Sequence, residues 1–320
     1  MRILVTGGAG YIGSHMTQLL VERGHDVTVI DDLSGGHRDA VSPGAAFVQA
    51  SITDAEAVAG ACAGADAVIH FAGRIQVGES VTAPRKYFQD NLVASLRLLD
   101  AVLDAGVRTF VFSSTAAVYG DPESTPIPES HPTRPVNPYG ETKLAFERAL
   151  ASYGRAYGLK WAALRYFNAA GAHGGLRERH DPETHLIPLA LAAAKGGGPP
   201  LRLFGTDWPT PDGTCIRDYV HVRDLALAHL AAIEHMGRGG EGGPINLGTG
   251  RGSSVREVIS AVEEATGKKV AVIEGPRRAG DPAVLVASAE RARSLLGWSA
   301  QTSLRDIVRS AAAYSADHST

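Results

Sequence analysis

Apolar residues recur along the first half of the chain in two alternating patterns. Short β-branched and apolar runs, Arg2–Thr6, Asp26–Ile30, Ala46–Gln49, Ala67–Phe71, Thr109–Ser113 and Trp161–Arg165, predict strands. Between them Tyr11–Arg23, Asp54–Cys62, Pro84–Ala105 and Asn137–Gly154 predict helices. The strand cores ILV, VTVI and FVF show no polar alternation, which suits strands buried on both faces. Strand and helix in alternation predict an α/β chain built on a doubly wound parallel sheet.

After Asn168 the regularity gives way to loops rich in Gly and Pro, notably Lys195–Pro200 and Asp207–Gly213, with shorter helical segments at Val222–Glu234, Ser254–Thr266 and Ser303–Tyr314. The pattern divides the chain into a first domain over 1–167 and a smaller C-terminal α/β lobe over 168–320. A later run such as Pro244–Leu247 can return to the first sheet. No internal repeat is visible.

Composition narrows the function. With 44% hydrophobic residues in 320, the chain can fill a large core. A formal charge of −3, without blocks of like sign, presents no face for nucleic acid. Cys62 and Cys215 lie far apart and outside any CxxC or Cys/His spacing, so neither a disulfide framework nor a structural zinc is expected, and a reducing cytoplasm fits. The opening MRILVTGGAG enters a strand at once, unlike a secretory leader. No apolar run approaches the roughly 20 residues that span a bilayer.

The segment ILVTGGAGYIGSH sets Gly7, Gly10 and Gly13 between a strand and an amphipathic helix. Such glycines permit a tight turn, let the backbone approach a pyrophosphate, and seat the helix on the strand, with the helix N-terminus facing the phosphates. Asp31 follows the second strand, 18 residues after Gly13, where a carboxylate accepts hydrogen bonds from an adenosine ribose diol. Asp31 and Asp32 together repel a 2′-phosphate, which favours NAD over NADP. The sheet is therefore expected to be of the Rossmann type.

In NPYGETKLAFE, Tyr139 and Lys143 are four apart on a predicted helix and share one face. Bringing a phenol from about 10 to about 7 takes roughly 4 kcal/mol of preferential stabilisation of the phenolate, for which Lys143 and a positive nicotinamide ring are the sources. Upstream, VFSSTAAVYG ends a strand at its C-terminal edge and offers the hydroxyls of Ser113, Ser114 and Thr115. Ser113 is the one of the three best suited to bonding local backbone. Hydroxyl, tyrosine and lysine beside a nicotinamide form a site for carbinol oxidation without a metal. His180 and His185 are five apart in a loop, so they read as polar loop residues and no metal is expected.

The ordered segments TGGAGYIGSH, DDLSGG, HFAG, VGES, FSSTAAVYG, NPYGETK, LRYFNAAGAH, FGTDWPTPDGTCIRDYVHV and INLGTG resemble the UDP-glucose 4-epimerase family of the extended short-chain dehydrogenase/reductases, nearly end to end. The resemblance implies Tyr139 as general base and acid, Lys143 as the residue that binds the nicotinamide ribose and lowers the tyrosine pKa, and Thr115 as the hydroxyl on the reacting oxygen. It implies cofactor contacts from Gly7, Gly10, Tyr11, Ile12, Gly13, Asp31, Asp32, Ile52, Phe71, Ala72, Asn91, Ser113 and Tyr166. It implies contacts to a UDP-sugar from Arg74, Ser114, Asn168, His185, Leu186, Phe204, Arg217, Arg278, Asp281 and Val284. A homodimer through the helices around Pro84–Ala105 and Asn137–Gly154 is implied as well.

Some positions depart from that pattern. Thr115 stands for a usual serine, Ser51 for an aspartate, Arg74–Gln76 for a segment that usually carries a lysine, and Val284 for a tyrosine found in some members. The reading is NAD-dependent C4 epimerisation of UDP-glucose and UDP-galactose through a 4-keto sugar. N-acetylated UDP-hexoses, if Val284 opens the sugar pocket, and UDP-glucuronate, if Arg74 meets a carboxylate, are the alternatives. A 4,6-dehydratase would need acidic residues where Ala116 and Ala117 stand, and a silent NAD-binding regulator would be expected to lose the Tyr/Lys pair.

Overall fold

The computed structural model describes residues 1–196, 198–278 and 281–315. Its main sheet consists of β1 (Arg2–Thr6), β2 (Asp26–Asp31), β3 (Ala46–Gln49), β4 (Ala67–His70), β5 (Thr109–Thr115), β6 (Lys160–Tyr166) and a seventh strand, Gly243–Leu247. All pairings are parallel, in the order Gly243–Leu247, β6, β5, β4, β1, β2, β3. The order reverses at β1, which opens a crevice beyond the C-terminal ends of β1 and β4, the place where doubly wound sheets bind ligands.

The absence of polar alternation in the strands has a direct cause: both faces are covered. Ile3, Val5, Ile69, Val111 and Leu164 pack on one face with Met16 and Leu20 of α1 (Tyr11–Glu22) and with Leu225 and Ile233 of the helix Val222–Gly237. Leu4, Ile30, Val68, Phe110 and Phe112 pack on the other. There they meet α2 (Ala55–Cys62) through Val58, α5 (Ala94–Asp104) through Leu98 and Leu99, and α6 (Pro138–Tyr157) through Phe146 and Leu150. Each such side chain contributes about 1.5–3 kcal/mol on burial.

Two features differ from the periodicity. The helical run over Pro84–Ala105 is interrupted: after the short α3 (Val77–Thr82) and α4 (Pro84–Tyr87), residues Phe88–Val93 form a π-helical turn before α5. Single π turns of this kind gather at functional sites, and this one carries Asn91. Leu186–Lys195 is a helix that the pattern does not announce, because its run LIPLALAAAK has no polar stripe.

The chain leaves the first sheet at Asn168 and returns through Val222–Gly237 and Gly243–Leu247. Its smaller second lobe is built on the helices Leu186–Lys195, Val255–Thr266 and Leu304–Ser315, packed through Ile187, Leu191, Val258, Val262, Ile307 and Val308. Short strand pairs join it to the sheet; in one, Asn168–Ala170 runs parallel to Tyr219–His221. Among the described residues no helix is long and apolar enough to cross a membrane.

Candidate active site

The glycine turn comes first, because its geometry admits little else. Gly7 has φ +70°, and a Cβ there would sit 2.5 Å from the backbone nitrogen of Ala72; a Cβ on Gly13 would sit 2.1 Å from the Gly7 carbonyl oxygen. The turn and the first helical turn are thus pressed together, and α1 begins at Gly10 with no side chain capping it and no acidic residue in its first turn. Uncapped first-turn N–H groups and the positive end of the helix face the crevice, an arrangement suited to a pyrophosphate. Asp31 closes the turn from β2: its carboxylate accepts the N–H groups of Ala9 (3.0 Å) and Leu33 (2.8 Å). Burial holds its carboxyl above the usual range despite those bonds.

The cleft that this turn opens has a volume of about 630 Å³. It is lined by Gly7, Gly10, Tyr11, Ile12, Gly13, Asp31, Asp32 and Ile52, then by Phe71, Ala72, Arg74, Ser113 and Thr115, and finally by Tyr139, Lys143, Tyr166, Asn168 and His185. Asn91 lies just beneath. Its side chain accepts the Arg74 N–H (2.7 Å) and donates to the Arg74 carbonyl (2.9 Å), so it splints the loop that follows β4.

The helix carrying Tyr139 and Lys143 starts where the sequence dictates. Asn137 caps it by accepting the Gly140 N–H at 2.8 Å, Pro138 occupies its first turn, and Gly158 ends it in the left-handed conformation. Tyr139 and Lys143 point from one face toward the end of β5. Thr115 accepts the Ala117 N–H at 3.1 Å, which leaves its own proton for the hydrogen bond it makes with Tyr139. Lys143 Nζ donates to the Ser113 carbonyl at 2.9 Å and lies 5.9 Å from the centre of the Tyr139 ring. Enclosure pushes the Tyr139 phenol up to about 12 and the Lys143 ammonium down to about 8, the latter opposed by Glu147. At pH 7 the phenol is therefore neutral while Lys143, although its ammonium is destabilised, stays mainly cationic, and a further cation beside them shifts the phenol downward.

The hydroxyls at the end of β5 divide differently from the sequence reading. Ser114, not Ser113, is the structural one: its side chain is buried and donates to Glu147 Oε1 at 2.5 Å. Glu147 in turn takes a bidentate bond from Arg165 (3.0 and 2.6 Å), and Arg165 donates to Tyr119 Oη at 2.8 Å. Ser114 borders the cleft, but its hydroxyl proton is spent on Glu147. Ser113 instead faces Tyr166, whose hydroxyl bonds Nε2 of buried His229. Because His229 Nδ1 faces the Leu225 carbonyl at 2.8 Å, it carries the proton and Nε2 accepts from Tyr166. Glu147 ends the NPYGETKLAFE segment and Arg165 lies in LRYFNAAGAH, but the sequence reading places neither in the site, and His229 falls in no such segment; each is brought in by a different strand or helix.

Several residues expected at the substrate belong to the second lobe and not to the lining of this cleft. Phe204, Arg217, Arg278, Asp281 and Val284 do not line the cleft but gather in the second lobe, as does Leu186, which opens a helix there. Arg278 makes bidentate bonds with Asp281 (2.9 and 3.0 Å), Arg217 lies 3.8 Å from the same carboxylate, and Arg278 stands over the Phe204 ring. Val284 pairs with Ile216 in a short parallel ladder. The group connects to the cleft through Asn168, whose strand partner Tyr219 lies two residues beyond Arg217. Arg74 is not a free cation: its Nε donates to Asp90 at 2.7 Å.

A glycine cradle at the switch point of a doubly wound sheet, with a tyrosine, a lysine and a threonine hydroxyl at the end of the next strands, defines a dinucleotide-dependent enzyme of carbinol chemistry. The family model for the NAD dependent epimerase/dehydratase family matches residues 3–248, and the chain belongs to that family. It is 49% identical to a UDP-glucose 4-epimerase of Corynebacterium glutamicum over 98% of this chain and 95% of that one. Among solved structures it is similar to a UDP-glucose 4-epimerase from Brucella ovis in complex with NAD, with TM-score 0.95, 47% identity and 98% of each chain covered. It is also similar to one from Bifidobacterium longum in complex with NAD+ and UDP, with TM-score 0.94, 38% identity and 99% of each covered.

Proposed function

We propose that this protein is an NAD-dependent C4 epimerase that interconverts UDP-glucose and UDP-galactose through a 4-keto sugar. The observation that carries the reading is the Tyr139–Thr115–Lys143 arrangement at the end of β5, facing the glycine turn across one cleft. Gly7–Gly13 and the N-terminus of α1 suit the pyrophosphate of NAD, Asp31 and Asp32 its adenosine ribose, and Phe71, Ala72, Lys143 and Tyr166 its nicotinamide half. When bound, NAD supplies a hydride acceptor and donor.

The chain's own residues handle the proton. Thr115 donates toward Tyr139 and holds the phenol oxygen where a sugar hydroxyl can reach it. The Tyr139 phenolate, stabilised by the Lys143 cation, takes the proton from the 4-hydroxyl and returns it once the ketone has presented its other face. Asn168, at the junction of the two lobes, borders the path from the cleft to the arginines of the second lobe. That second group, Arg217, Arg278 and Asp281, suits the phosphates and uridine, so the nucleotide is gripped while the hexose turns within the cleft.

The structure favours a neutral hexose over the alternatives. Asp90 already neutralises the Arg74 guanidinium, which weakens the case for a uronate carboxylate, and Val284 is paired with Ile216 in a short ladder and is not among the residues that line the cleft. A 4,6-dehydratase lacks support because Ala116 and Ala117 follow Thr115 and no acid stands there. The test is incubation with UDP-galactose, with C4 configuration read by proton NMR. Accumulation of UDP-glucose is expected; a 4-keto-6-deoxy product, or no change at C4, overturns the reading.

We further infer a cytoplasmic homodimer associating through the helices around Pro84–Ala105 and Asn137–Gly154, with α3 beside them. The support is a set of exposed apolar side chains on those helices, Val77, Val81, Phe88 and Tyr157.

A further inference from the structure

The segment between Leu176 and the helix Leu186–Lys195 runs along the wall of the cleft, where Glu178, His180 and His185 line it. The catalytic scheme uses none of its ionisable groups. Glu178, His180, Glu183 and His185 each turn one ligating atom toward the same small volume, all within 4.8 Å of one another. His185 Nδ1 is 2.8 Å from Glu178 Oε1 and 2.9 Å from Glu183 Oε1. His180 Nδ1 is 3.1 Å from Glu178 Oε1 and 4.0 Å from Glu183 Oε2. Donors arranged tetrahedrally around zinc at ordinary bond lengths stand about 3.3 Å apart, within the span of these distances.

Charge and chemistry agree with the geometry. With neutral imidazoles the group carries two negative charges, one of which a proton on His185, at hydrogen-bond distance from both carboxylates, would offset; the Glu178 side chain is only 7% exposed, so solvent does little to balance the rest. A divalent ion balances both charges completely and uses imidazole in its neutral, ligating form. Two nitrogens with two carboxylates, brought to four-coordination, suit zinc or cobalt better than magnesium or calcium, which call for more oxygen ligands. We propose that Glu178, His180, Glu183 and His185 form a closed, structural site for a divalent transition metal, best matched by Zn²⁺.

The site would tie this loop to the cofactor side of the cleft. His180 packs edge-on against the Tyr11 ring at the start of α1, with centroids 6.1 Å apart. Arg179, between the histidine and Glu178, makes a bidentate bond with Asp39 (2.9 and 2.7 Å), and its carbonyl meets His37 Nε2 at 3.0 Å. Backbone N–H groups of Thr184 and His185 hold Glu183 Oε1 at 2.7 and 2.8 Å, which fixes that ligand from behind. A metal at the centre of these tethers restrains the segment that borders the glycine turn, and slower loss of bound NAD follows.

The test uses untagged full-length protein freed of metal with a chelator and titrated with Co²⁺, then Zn²⁺. One cobalt per chain with the intense visible absorption of a tetrahedral centre, displaced by one zinc and accompanied by a rise in Tm, is expected. His180→Gln and Glu183→Gln should each weaken zinc binding at least about 10–100-fold, the loss seen even for outer-shell partners of metal ligands, while far-UV circular dichroism stays unchanged. The wild-type cobalt spectrum decides alone if a variant does not fold. No tetrahedral absorption, or equal zinc affinity in wild type and both folded variants, overturns the proposal and leaves a cluster balanced by protons on its histidines.

Discussion

Tyr139 and Lys143 illustrate how far a residue pair can be pushed from its ordinary chemistry by enclosure. Replacing Tyr139 with Phe keeps the ring but removes the group that moves the proton. Turnover is expected to fall by about 10²–10⁴-fold, the usual contribution of general acid–base catalysis, with little change in UDP-sugar affinity by calorimetry; turnover near wild type would mean another base. Lys143 exposes a cost of the same design. Its ammonium is held at about 8 against 10.5 in a free chain, so between those values the unfolded state binds more protons and stability rises with pH. Below pH 8 the folded protein carries the full penalty, about 3 kcal/mol at 1.36 per unit. In NAD-free protein Lys143→Met should therefore melt higher than wild type at pH 7, and the gain should shrink as pH climbs from 8 toward 10.5. A gain that is absent at pH 7, or constant with pH, refutes this account.

Among the elements, β5, β6 and α6 are locked by a buried charge pair rather than by apolar contact alone. Arg165 of β6 and Glu147 of α6 are each 4% exposed and meet at 2.6 Å, with Ser114 of β5 on the same carboxylate. Glu147 lies one turn beyond Lys143, so this lock also sets where the catalytic helix sits. Removing one partner of a buried pair leaves the other uncompensated, at a cost of about 3–5 kcal/mol. Glu147→Gln should lose roughly that much in a denaturant titration. The double variant Glu147→Gln/Arg165→Met should be more stable than Glu147→Gln alone; if it is less stable, the penalty is not that of an orphaned guanidinium. The π turn at Phe88–Val93 belongs to the same scale. Its residues keep helical spacing in the sequence, and the turn carries Asn91, whose side chain bonds the Arg74 backbone.

For the whole molecule, the proposed association through the helices around Pro84–Ala105 and Asn137–Gly154, with α3 beside them, predicts a particle of about twice the 33.5 kDa chain mass by light scattering. Val81→Glu, at a position 61% exposed, should shift the mass toward that of one chain, because a buried carboxylate without a partner opposes the interface. A wild-type monomer at micromolar concentration would exclude a stable dimer through this face.

The sequence by itself determined the elements with local signals. Continuous apolar strands, glycine turns and an Asn-Pro helix start depend on short-range sterics and on whether a face is buried, so β1–β6, α1 and α6 are legible from their own residues. The Tyr139–Lys143 spacing is equally local. Tertiary structure decided what depends on which segments meet. It returned Gly243–Leu247 to the first sheet, spent Ser114 on Glu147 while Ser113 reached Tyr166, paired Arg74 with Asp90, and set Phe204, Arg217, Arg278, Asp281 and Val284 in a group apart from the cleft. It also joined Glu178 and Glu183 to His180 and His185, whose spacing in sequence matches no helical ligand pattern. The reason is physical: a side chain's partners are set by the direction in which its backbone leaves it and by what packs opposite, and neither is encoded within a few residues of the side chain.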